Sequence, residues 1–302
     1  MTKQIKHFLT LDDFSASELA DLIAHAIDLK QRFKSGETYE PLRGKTLAMI
    51  FSKSSTRTRV SFETGMRQLG GGAINLTNQE TQIGRGEPIE DTARVVSSMV
   101  DAIMIRTAAH ADVETMAAFS SVPVINGLTD DYHPCQLLAD VQTFVELKGS
   151  ISGATVAWIG DGNNVCHSFM NAARLFNFKL RIATPESYKP SSNVAEKNKD
   201  SIELGNDPRW AVADADLVVT DTWASMGQEE EKQTRANDFA PFQVTQELMQ
   251  LAHREALFMH CLPAYRGMEV SAEVIDGPQS VVFAEAENRL HAQKALLNIL
   301  MA

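Results

Sequence analysis

The sequence predicts an α/β protein with two domains, each a parallel β-sheet flanked by helices. The chain has 302 residues, about twice the length of a typical domain. Short apolar runs alternate along it with longer segments of helical periodicity, which is the pattern of strands joined by covering helices. The run Thr155–Ile159 is almost continuously apolar, which favours a sheet buried on both faces.

This alternation predicts nine strands and at least eight helices. The strands are Thr46–Phe51, Ala73–Leu76, Ala102–Arg106, Val122–Gly127, Thr155–Gly160, Leu180–Thr184, Leu217–Thr220, Leu257–His260 and Val281–Phe283. The helices are Ala16–Phe33, Arg57–Leu69, Ile89–Val100, Ala111–Ala118, Pro134–Leu147, Val165–Phe176, Val244–Ala252 and Glu285–Leu300.

The boundary between the domains is expected near the helix that begins at Pro134, because proline suits the first turn of a helix. The segment Lys148–Gly153 then ends that helix before a new strand starts. We therefore place the first domain at 1–140 and the second at 141–284, with a cleft between them. The last helix, 285–302, is expected to pack back on the first domain.

Composition argues against nucleic-acid and membrane partners, and an acidic protein with one basic segment suggests a small anionic ligand. The net charge is −11, whereas binding to a nucleic-acid backbone needs a basic face, so no nucleic-acid partner is expected. No apolar run reaches the length that spans a bilayer. The N-terminal residues are too polar for a secretory signal and too acidic for a transit peptide. These features predict a cytoplasmic protein without a membrane partner.

The cysteines Cys135, Cys166 and Cys261 have no pairing pattern. An odd number of cysteines favours free thiols in a reducing compartment over a disulfide framework. Their spacing also differs from that of zinc ligands. We expect neither a metal site nor a cofactor.

The segment Ser54–Arg59 brings four hydroxyls and two arginines into a turn between a strand and a helix. The free N–H groups at a helix start attract anions, and guanidinium groups bind oxyanions with two parallel hydrogen bonds. A capped helix start with solvated arginines is the alternative, but it leaves the two arginines in one turn unexplained. The turn predicts a phosphate site in which Arg57 and Arg59 act together.

Polar residues also follow the other predicted strands, at the ends where open α/β sheets bind their ligands. Structural polar residues would scatter over both ends of the strands, so this repeated placement indicates a ligand site. The residues concerned are Arg106, His133–Gln136, Asp161–Asn164, Asp221 and His260–Pro263.

Each of these residues also has a simpler structural interpretation. Arg106 is also consistent with a surface arginine at the end of a strand, and His133 with a residue that only starts a helix. Cys261 suits a small buried apolar side chain. Asp161–Asn164 has the composition of a turn; it lacks the third glycine of a dinucleotide-binding loop, which argues against that function.

Taken together, these motifs resemble the aspartate/ornithine carbamoyltransferase family over essentially the whole chain. Ser55–Arg59, His133–Gln136 and His260–Pro263 occur in the order and at the spacing of that family. In the second half, Asp161–Asn164 and Asp221–Gly227 are similar to the branch that uses ornithine. The resemblance implies transfer of the carbamoyl group of carbamoyl phosphate to the δ-amine of L-ornithine, giving L-citrulline and phosphate, with the active site in the cleft between the two domains.

The resemblance also implies a role for individual residues in the first half. Arg106 would span the phosphate and the carbonyl group, and His133 and Gln136 would bind the carbamoyl oxygen and amide. Gln82 would reach the site of a neighbouring subunit, which implies a homotrimer or a multiple of trimers. The residues implied for carbamoyl phosphate are Ser55, Thr56, Arg57, Thr58, Gln82, Arg106, His133, Gln136, Cys261, Leu262 and Arg289.

In the second half, the resemblance implies that ornithine binds to Asn164, Asp221, Ser225 and Met226. The groups implied in catalysis are Cys261, Arg106, His133 and Asp221. Thr58, Arg106 and His133 are donors that would stabilise the oxyanion formed when the amine attacks. A thiol–carboxylate pair of Cys261 and Asp221 would assist loss of the amine proton, as a base or by positioning the amine.

Two alternatives stay open at this point. One is a carbamoyltransferase for another amine, such as aspartate, putrescine or N-acetylornithine; the other is a non-catalytic anion-binding protein on the same scaffold. Tyr265 departs from the family pattern at the rim of the site. The absence of long extensions favours arginine biosynthesis over a catabolic role in the arginine deiminase pathway.

Overall fold

The structure, a computed structural model, describes residues 6–77, 86–224 and 232–302. It divides into two compact units, the first of residues 1–142 with 287–302 and the second of residues 143–286. Among the described residues, no helix is both long and apolar enough to cross a membrane.

The first unit is built around a parallel sheet of four strands. Its elements before the unit boundary are α1 (Ala16–Lys34), β1 (Thr46–Phe51), α2 (Thr56–Gln68), β2 (Gly72–Thr77), α3 (Ile89–Ser97), β3 (Ala102–Arg106), α4 (His110–Phe119), β4 (Val124–Leu128) and α5 (Pro134–Lys148). The strand order is β2-β1-β3-β4, so the order reverses between β1 and β3. A short 3₁₀ helix, Leu11–Asp13, precedes α1.

The second unit contains a parallel sheet of five strands in the order β7-β6-β5-β8-β9. Its elements are β5 (Thr155–Ile159), α6 (Asn164–Leu175), β6 (Lys179–Ala183), α7 (Ser192–Lys197), β7 (Ile202–Gly205), α8 (Pro208–Val212), β8 (Leu217–Thr220), α9 (Lys232–Phe239), α10 (Gln246–Met249), β9 (Leu257–His260) and α11 (Ala272–Ile275). The chain ends in α12 (Val282–Met301). The unit boundaries fall within α5 and α12.

Both sheets bury continuous apolar strands, which is why their sequences show no alternation of polar and apolar residues. Leu47, Met49 and Ile103 in the first sheet are inaccessible to solvent or nearly so. In the second sheet, Trp158 is fully buried and its indole N–H donates to the Asp161 carbonyl oxygen at 2.9 Å. The predicted fold class, two domains with helix-flanked parallel sheets, is confirmed.

Two details of the predicted strands are wrong. The predicted strand Val281–Phe283 is the start of α12, and Phe283 is exposed. A single bridge forms beside β9: the Phe258 N–H donates to the Gln279 carbonyl oxygen, and the Phe258 carbonyl oxygen accepts from the Val281 N–H. Strand β7 was not predicted, because the residues Ile202–Gly205 lie at the sheet edge and are largely solvent-accessible, so they lack an apolar run. The short helices α7, α8, α9 and α11 were also not predicted.

Candidate active site

In the first unit, three strands deliver polar side chains at their carboxyl ends. β1 leads to Ser55, β3 ends in Arg106, and β4 leads to His133. The pairing of β3 with β4 shifts its register between Ile105 and Arg106. Because such irregularities redirect a side chain at the end of a strand, this shift helps to set the direction of Arg106. These residues surround the point where the strand order reverses, which is the position of ligand sites in open α/β sheets.

The start of α2 is fixed by its own side chains. Ser55 is the N-cap, and its hydroxyl accepts from the Thr58 backbone N–H at 3.3 Å. Ser and Thr favour this position because the hydroxyl satisfies an N–H group that has no partner within the helix. Thr58 is buried, whereas Thr56 is exposed. The capped turn thus presents the Thr58 hydroxyl towards the interior of the unit.

The structure corrects the prediction that both arginines of this turn act together. The side chain of Arg59 is 53% exposed and its Nε lies 3.6 Å from Oε2 of Glu63, one helical turn further on. Such exposed pairs contribute little. Arg57 is only partly exposed and adds to the positive potential at His133. The helical period separates the two side chains, so only Arg57 belongs to the cluster.

Two buried guanidinium groups meet at Thr58. Arg106 Nη1 and Arg289 Nη2 both donate to the Thr58 Oγ1 atom, at 3.4 Å and 3.3 Å. Arg289 also donates to Gln136 Oε1 at 2.6 Å, and Gln136 Nε2 donates to Asp140 Oδ1 at 2.7 Å. The hydrogen-bonded chain therefore links residues from α2, β3, α5 and α12 of one unit.

The environment of His133 shows the sign of the local potential. Burial and the charges of Arg289, Arg106 and Arg57 hold the pKa of His133 well below its usual value. The imidazole is therefore neutral at pH 7, so it carries one N–H donor and one acceptor nitrogen. A buried position where three arginines disfavour another positive charge is suited to binding an anion.

In the second unit, a sharp turn after β5 places Asn163. Gly160 has φ +131°, and a Cβ at Gly162 would lie 2.2 Å from the Pro190 nitrogen, so a larger residue has no room at that position. Asn163 then caps α6: its Oδ1 accepts from the N–H groups of Val165 and Cys166. The remaining amide group of Asn163 is thereby directed away from the helix.

Asp221 lies at the centre of this second cluster, next to the point where the strand order reverses between β5 and β8. Its Oδ2 accepts from Asn163 Nδ2 at 2.8 Å, and its Oδ1 accepts from the Thr222 N–H at 2.7 Å and from the Cys261 thiol at 3.2 Å. The structure thus brings together Asp221 and Cys261, the two groups singled out as a thiol–carboxylate pair.

The three thiols have different surroundings. Burial raises the pKa of Cys135 to about 12 and raises the pKa of Cys166 well above its usual value. Cys261 is only partly buried. Since the thiolate is the reactive form, Cys135 and Cys166 are unreactive and Cys261 is the accessible thiol.

Asp221, His260 and Cys261 place potential metal-ligand atoms within 4.8 Å of one another. The Nδ1 atom of His260 already accepts the Leu262 N–H at 2.9 Å, and its Nε2 atom lies 3.2 Å from Glu269 Oε1. Both ring nitrogens are therefore engaged, which argues against His260 as a metal ligand at this position.

The remaining predicted residues fall into two groups. Asn164 is the first residue of α6 and is partly exposed, and Leu262 follows the thiol with φ +55°. Gln82, Ser225 and Met226 lie outside the described residues.

Two polar residues with central positions, Arg235 and Glu269, are not predicted from the sequence, and Asn163 is predicted only as part of Asp161–Asn164, without a role of its own. Asn163 contacts Asp221, and its signal was the preference of asparagine for helix N-caps. Arg235 on α9 is buried and donates to the Asp161 carboxylate and the Trp223 carbonyl oxygen. Glu269 is buried beside His260. Nothing in the local sequence of Arg235 or Glu269 distinguishes it from a surface charge.

Two family models match the chain. The carbamoyl-P binding domain of aspartate/ornithine carbamoyltransferase matches residues 6–146, and the Asp/Orn binding domain of the same family matches residues 152–300. The second match includes most of α12, whereas residues 287–302 belong to the first compact unit.

Individual proteins are similar over almost the full length. The ornithine carbamoyltransferase of Hydrogenovibrio crunogenus is 63% identical over 298 residues, which cover 99% of each chain. The solved ornithine carbamoyltransferase of Pyrococcus furiosus has a TM-score of 0.94 at 50% identity, covering 100% of this chain and 99% of the other. The anabolic ornithine carbamoyltransferase of Campylobacter jejuni has a TM-score of 0.92 at 44% identity, with 98% and 99% covered. This chain therefore belongs to the aspartate/ornithine carbamoyltransferase family.

Proposed function

We propose that this chain transfers the carbamoyl group of carbamoyl phosphate to the δ-amine of L-ornithine, giving L-citrulline and phosphate. The observation that carries the proposal is the identity of up to 63%, over nearly the whole chain, to proteins named ornithine carbamoyltransferase. The two polar clusters support it, because one suits an anionic donor and the other suits an amino-acid acceptor.

The first cluster has the chemistry that carbamoyl phosphate needs. Ser55, Thr56, Arg57 and Thr58 would hold the phosphate at the start of α2, where backbone N–H groups add to the guanidinium charge. Arg106 would reach both the phosphate and the carbonyl group, and Arg289 would add a further contact. Gln82 would be supplied by a neighbouring subunit.

The reaction needs stabilisation of two developing charges. Attack by the neutral δ-amine forms a C–N bond and places negative charge on the carbamoyl oxygen; cleavage of the C–O bond then releases phosphate. Thr58, Arg106 and neutral His133 would donate hydrogen bonds to that oxygen, while Gln136 would bind the carbamoyl amide. The leaving phosphate can itself accept the amine proton, so no covalent intermediate with the protein is needed.

The second cluster would bind and orient the acceptor. Asn164, Asp221, Ser225 and Met226 would hold the α-amino and α-carboxylate groups of ornithine. Cys261 and the Leu262 backbone would lie beside the reacting amine. The 3.2 Å contact between the Cys261 thiol and Asp221 supports a shared role in loss of the amine proton.

The decisive measurement is citrulline formation from carbamoyl phosphate by the purified protein. We expect kcat/KM for L-ornithine to exceed that for putrescine, aspartate and N-acetylornithine by at least about a hundredfold, because a site that hydrogen-bonds one acceptor leaves buried polar groups unpaired with others. Preference for any other amine, or binding of carbamoyl phosphate without turnover, would contradict the proposal.

The biological role and assembly need separate tests. We propose an anabolic role in arginine biosynthesis in the cytoplasm, and the similarity to the Campylobacter jejuni protein, which is described as anabolic, supports that direction. Deletion of the gene should then create a requirement for arginine; loss of growth on arginine instead would indicate the catabolic role.

We also propose a homotrimer or a multiple of it, which light scattering would detect as three times the 33.2 kDa chain mass or more.

A further inference from the structure

We infer that Glu269 is a positioning residue that acts through His260 on the backbone of Leu262, and thereby sets the place of Cys261 and Leu262 in the acceptor half of the site. Both Glu269 and His260 are buried in the second unit, with exposed fractions of 1% and 0%. Neither belongs to the set proposed to contact the substrates.

The hydrogen bonds define the state of the imidazole. The Leu262 N–H donates to His260 Nδ1 at 2.9 Å, so that nitrogen carries a lone pair and no proton. The ring proton therefore resides on Nε2, which lies 3.2 Å from Glu269 Oε1 and donates to it. Glu269 thus selects the tautomer that can accept from Leu262, as carboxylates do for orienting histidines elsewhere.

Two more contacts hold this arrangement in place. Glu269 Oε1 also accepts the Tyr265 backbone N–H at 2.6 Å, on the far side of the loop that carries Cys261. Glu285 Oε2 accepts the backbone N–H of His260 at 2.9 Å. One buried carboxylate therefore connects both ends of the Cys261–Ala264 loop, while a second fixes the residue that precedes it.

Leu262 has an unusual backbone conformation, and these hydrogen bonds help to maintain it. Its φ is +55°, in the left-handed region that leucine rarely adopts. Such a conformation persists where surrounding contacts determine it, and it is frequent at functional sites. The bond from Leu262 to His260 is one such contact. Its loss would allow the loop to relax and would displace the neighbouring thiol from Asp221.

The first test compares Glu269→Gln with Glu273→Gln, an exposed control that removes the same charge. Two rates are measured: alkylation of Cys261 by iodoacetamide and carbamoyl transfer. Because Cys135 and Cys166 are buried with raised pKa values, alkylation reports on Cys261; Cys261→Ala gives the background.

For Glu269→Gln we expect the alkylation rate to change about threefold or more, because thiol reactivity follows its surroundings. We expect kcat/KM for ornithine to fall about tenfold to a hundredfold, because a small displacement of groups beside the reacting amine lowers the rate by that order. The Kd for carbamoyl phosphate should change much less than kcat/KM for ornithine, because the charged groups of the donor cluster belong to the other unit and only Cys261 and Leu262 of the carbamoyl phosphate set lie on this loop. Unchanged alkylation and kcat/KM, or an equal loss of carbamoyl phosphate binding, would overturn the inference.

The second test uses two substitutions of His260 that separate its nitrogens. Asparagine keeps an acceptor near the Nδ1 position for Leu262, whereas glutamine keeps a donor near the Nε2 position for Glu269. We expect His260→Asn to retain at least about tenfold more kcat/KM for ornithine than His260→Gln, because only glutamine leaves the Leu262 N–H without an acceptor. Equal activities, or the reverse order, would overturn the inference. If neither variant folds, the result for Glu269→Gln decides.

The activity measurements rest on the proposed function, but the alkylation measurement does not. If the wild-type protein forms no citrulline, the proposed function fails while the change in alkylation rate still tests the role of Glu269. If the wild-type protein is active and Glu269→Gln behaves like Glu273→Gln in both measurements, the inference alone fails.

Discussion

The two polar clusters differ in the kind of interaction that they offer a ligand: the first offers positive charge and the second offers directed hydrogen bonds. In the first unit, burial together with the positive charges of Arg289, Arg106 and Arg57 holds the pKa of His133 well below its usual value and keeps the imidazole neutral. In the second unit, a buried carboxylate gathers an amide, a backbone N–H and a thiol. Attraction between a guanidinium group and an anion changes little when either group moves slightly. Hydrogen bonds depend on direction and therefore fix the orientation of a bound amino acid. The donor half should therefore depend mainly on charge, and the acceptor half on geometry.

The largest expected effect comes from removing charge in the donor half. Arg57→Ala should lower kcat/KM for carbamoyl phosphate about a hundredfold to a thousandfold, which is the loss typical of a group that stabilises transition-state charge. The matched control is Arg59→Ala, two residues away, where the exposed side chain pairs with Glu63. The control should stay within about twofold in the same steady-state assay. Similar losses in both variants would show that the helix start, not Arg57, had been damaged.

A comparable substitution in the acceptor half should affect the other substrate. Asp221→Asn keeps the shape of the side chain but removes the charge that accepts from the Cys261 thiol and the Thr222 N–H. We expect kcat/KM for ornithine to fall about a hundredfold. Calorimetric titration should give a Kd for carbamoyl phosphate within about twofold of the wild-type value. Parallel weakening of both substrates would contradict the separation of the two halves.

A smaller effect is expected at the point where the two buried arginines meet. Thr58→Val removes the hydroxyl that accepts from Arg106 and Arg289 without changing the volume much. An unsatisfied buried donor costs about 1–3 kcal/mol, so carbamoyl phosphate should bind about tenfold more weakly. The KM for ornithine, measured at saturating carbamoyl phosphate, should change little. Unaltered binding would mean that the arginines do not need this acceptor.

The smallest effect concerns stability and pH in the first unit. Burial and the charges of Lys294 and Lys30 lower the pKa of His291 to about 4, whereas the unfolded chain has the ordinary value near 6.5. The unfolded state therefore binds the proton first, so His291 contributes stability above pH 6.5 that is lost as the pH falls towards 4. His291→Gln should reduce the loss of unfolding free energy between pH 7 and pH 5 by about 1–2 kcal/mol. Identical pH profiles in urea unfolding would contradict this assignment.

The sequence predicted what depends on local pattern. Buried strands such as Thr155–Ile159 were recognisable as apolar runs, and the polar residues at their ends indicated where ligands bind. The edge strand Ile202–Gly205 was missed because half-exposed strands carry little apolar signal. Val281–Phe283 was misassigned because a short apolar run does not distinguish a strand from a helix start.

Site residues that belong to a motif could be predicted from the sequence. Residues whose role depends on a contact made only in the folded chain could not. The contact between Asp221 and Cys261 joins two residues that the sequence motifs predict as parts of the site. Arg59 was overvalued because its direction depends on helical phase. Glu269 became visible only through its contact with His260, which is set by folding, not by a motif.

The order of the units along the chain has a consequence for synthesis. Residues 143–286 are inserted within the first unit, which is completed only by residues 287–302. Arg289, which binds both Thr58 and Gln136 in the donor half, therefore leaves the ribosome after the whole acceptor half. A chain that stops early could still fold its second unit, but it would lack a guanidinium group of the donor cluster. Chains truncated before Arg289 are thus expected to bind carbamoyl phosphate much more weakly than the full chain.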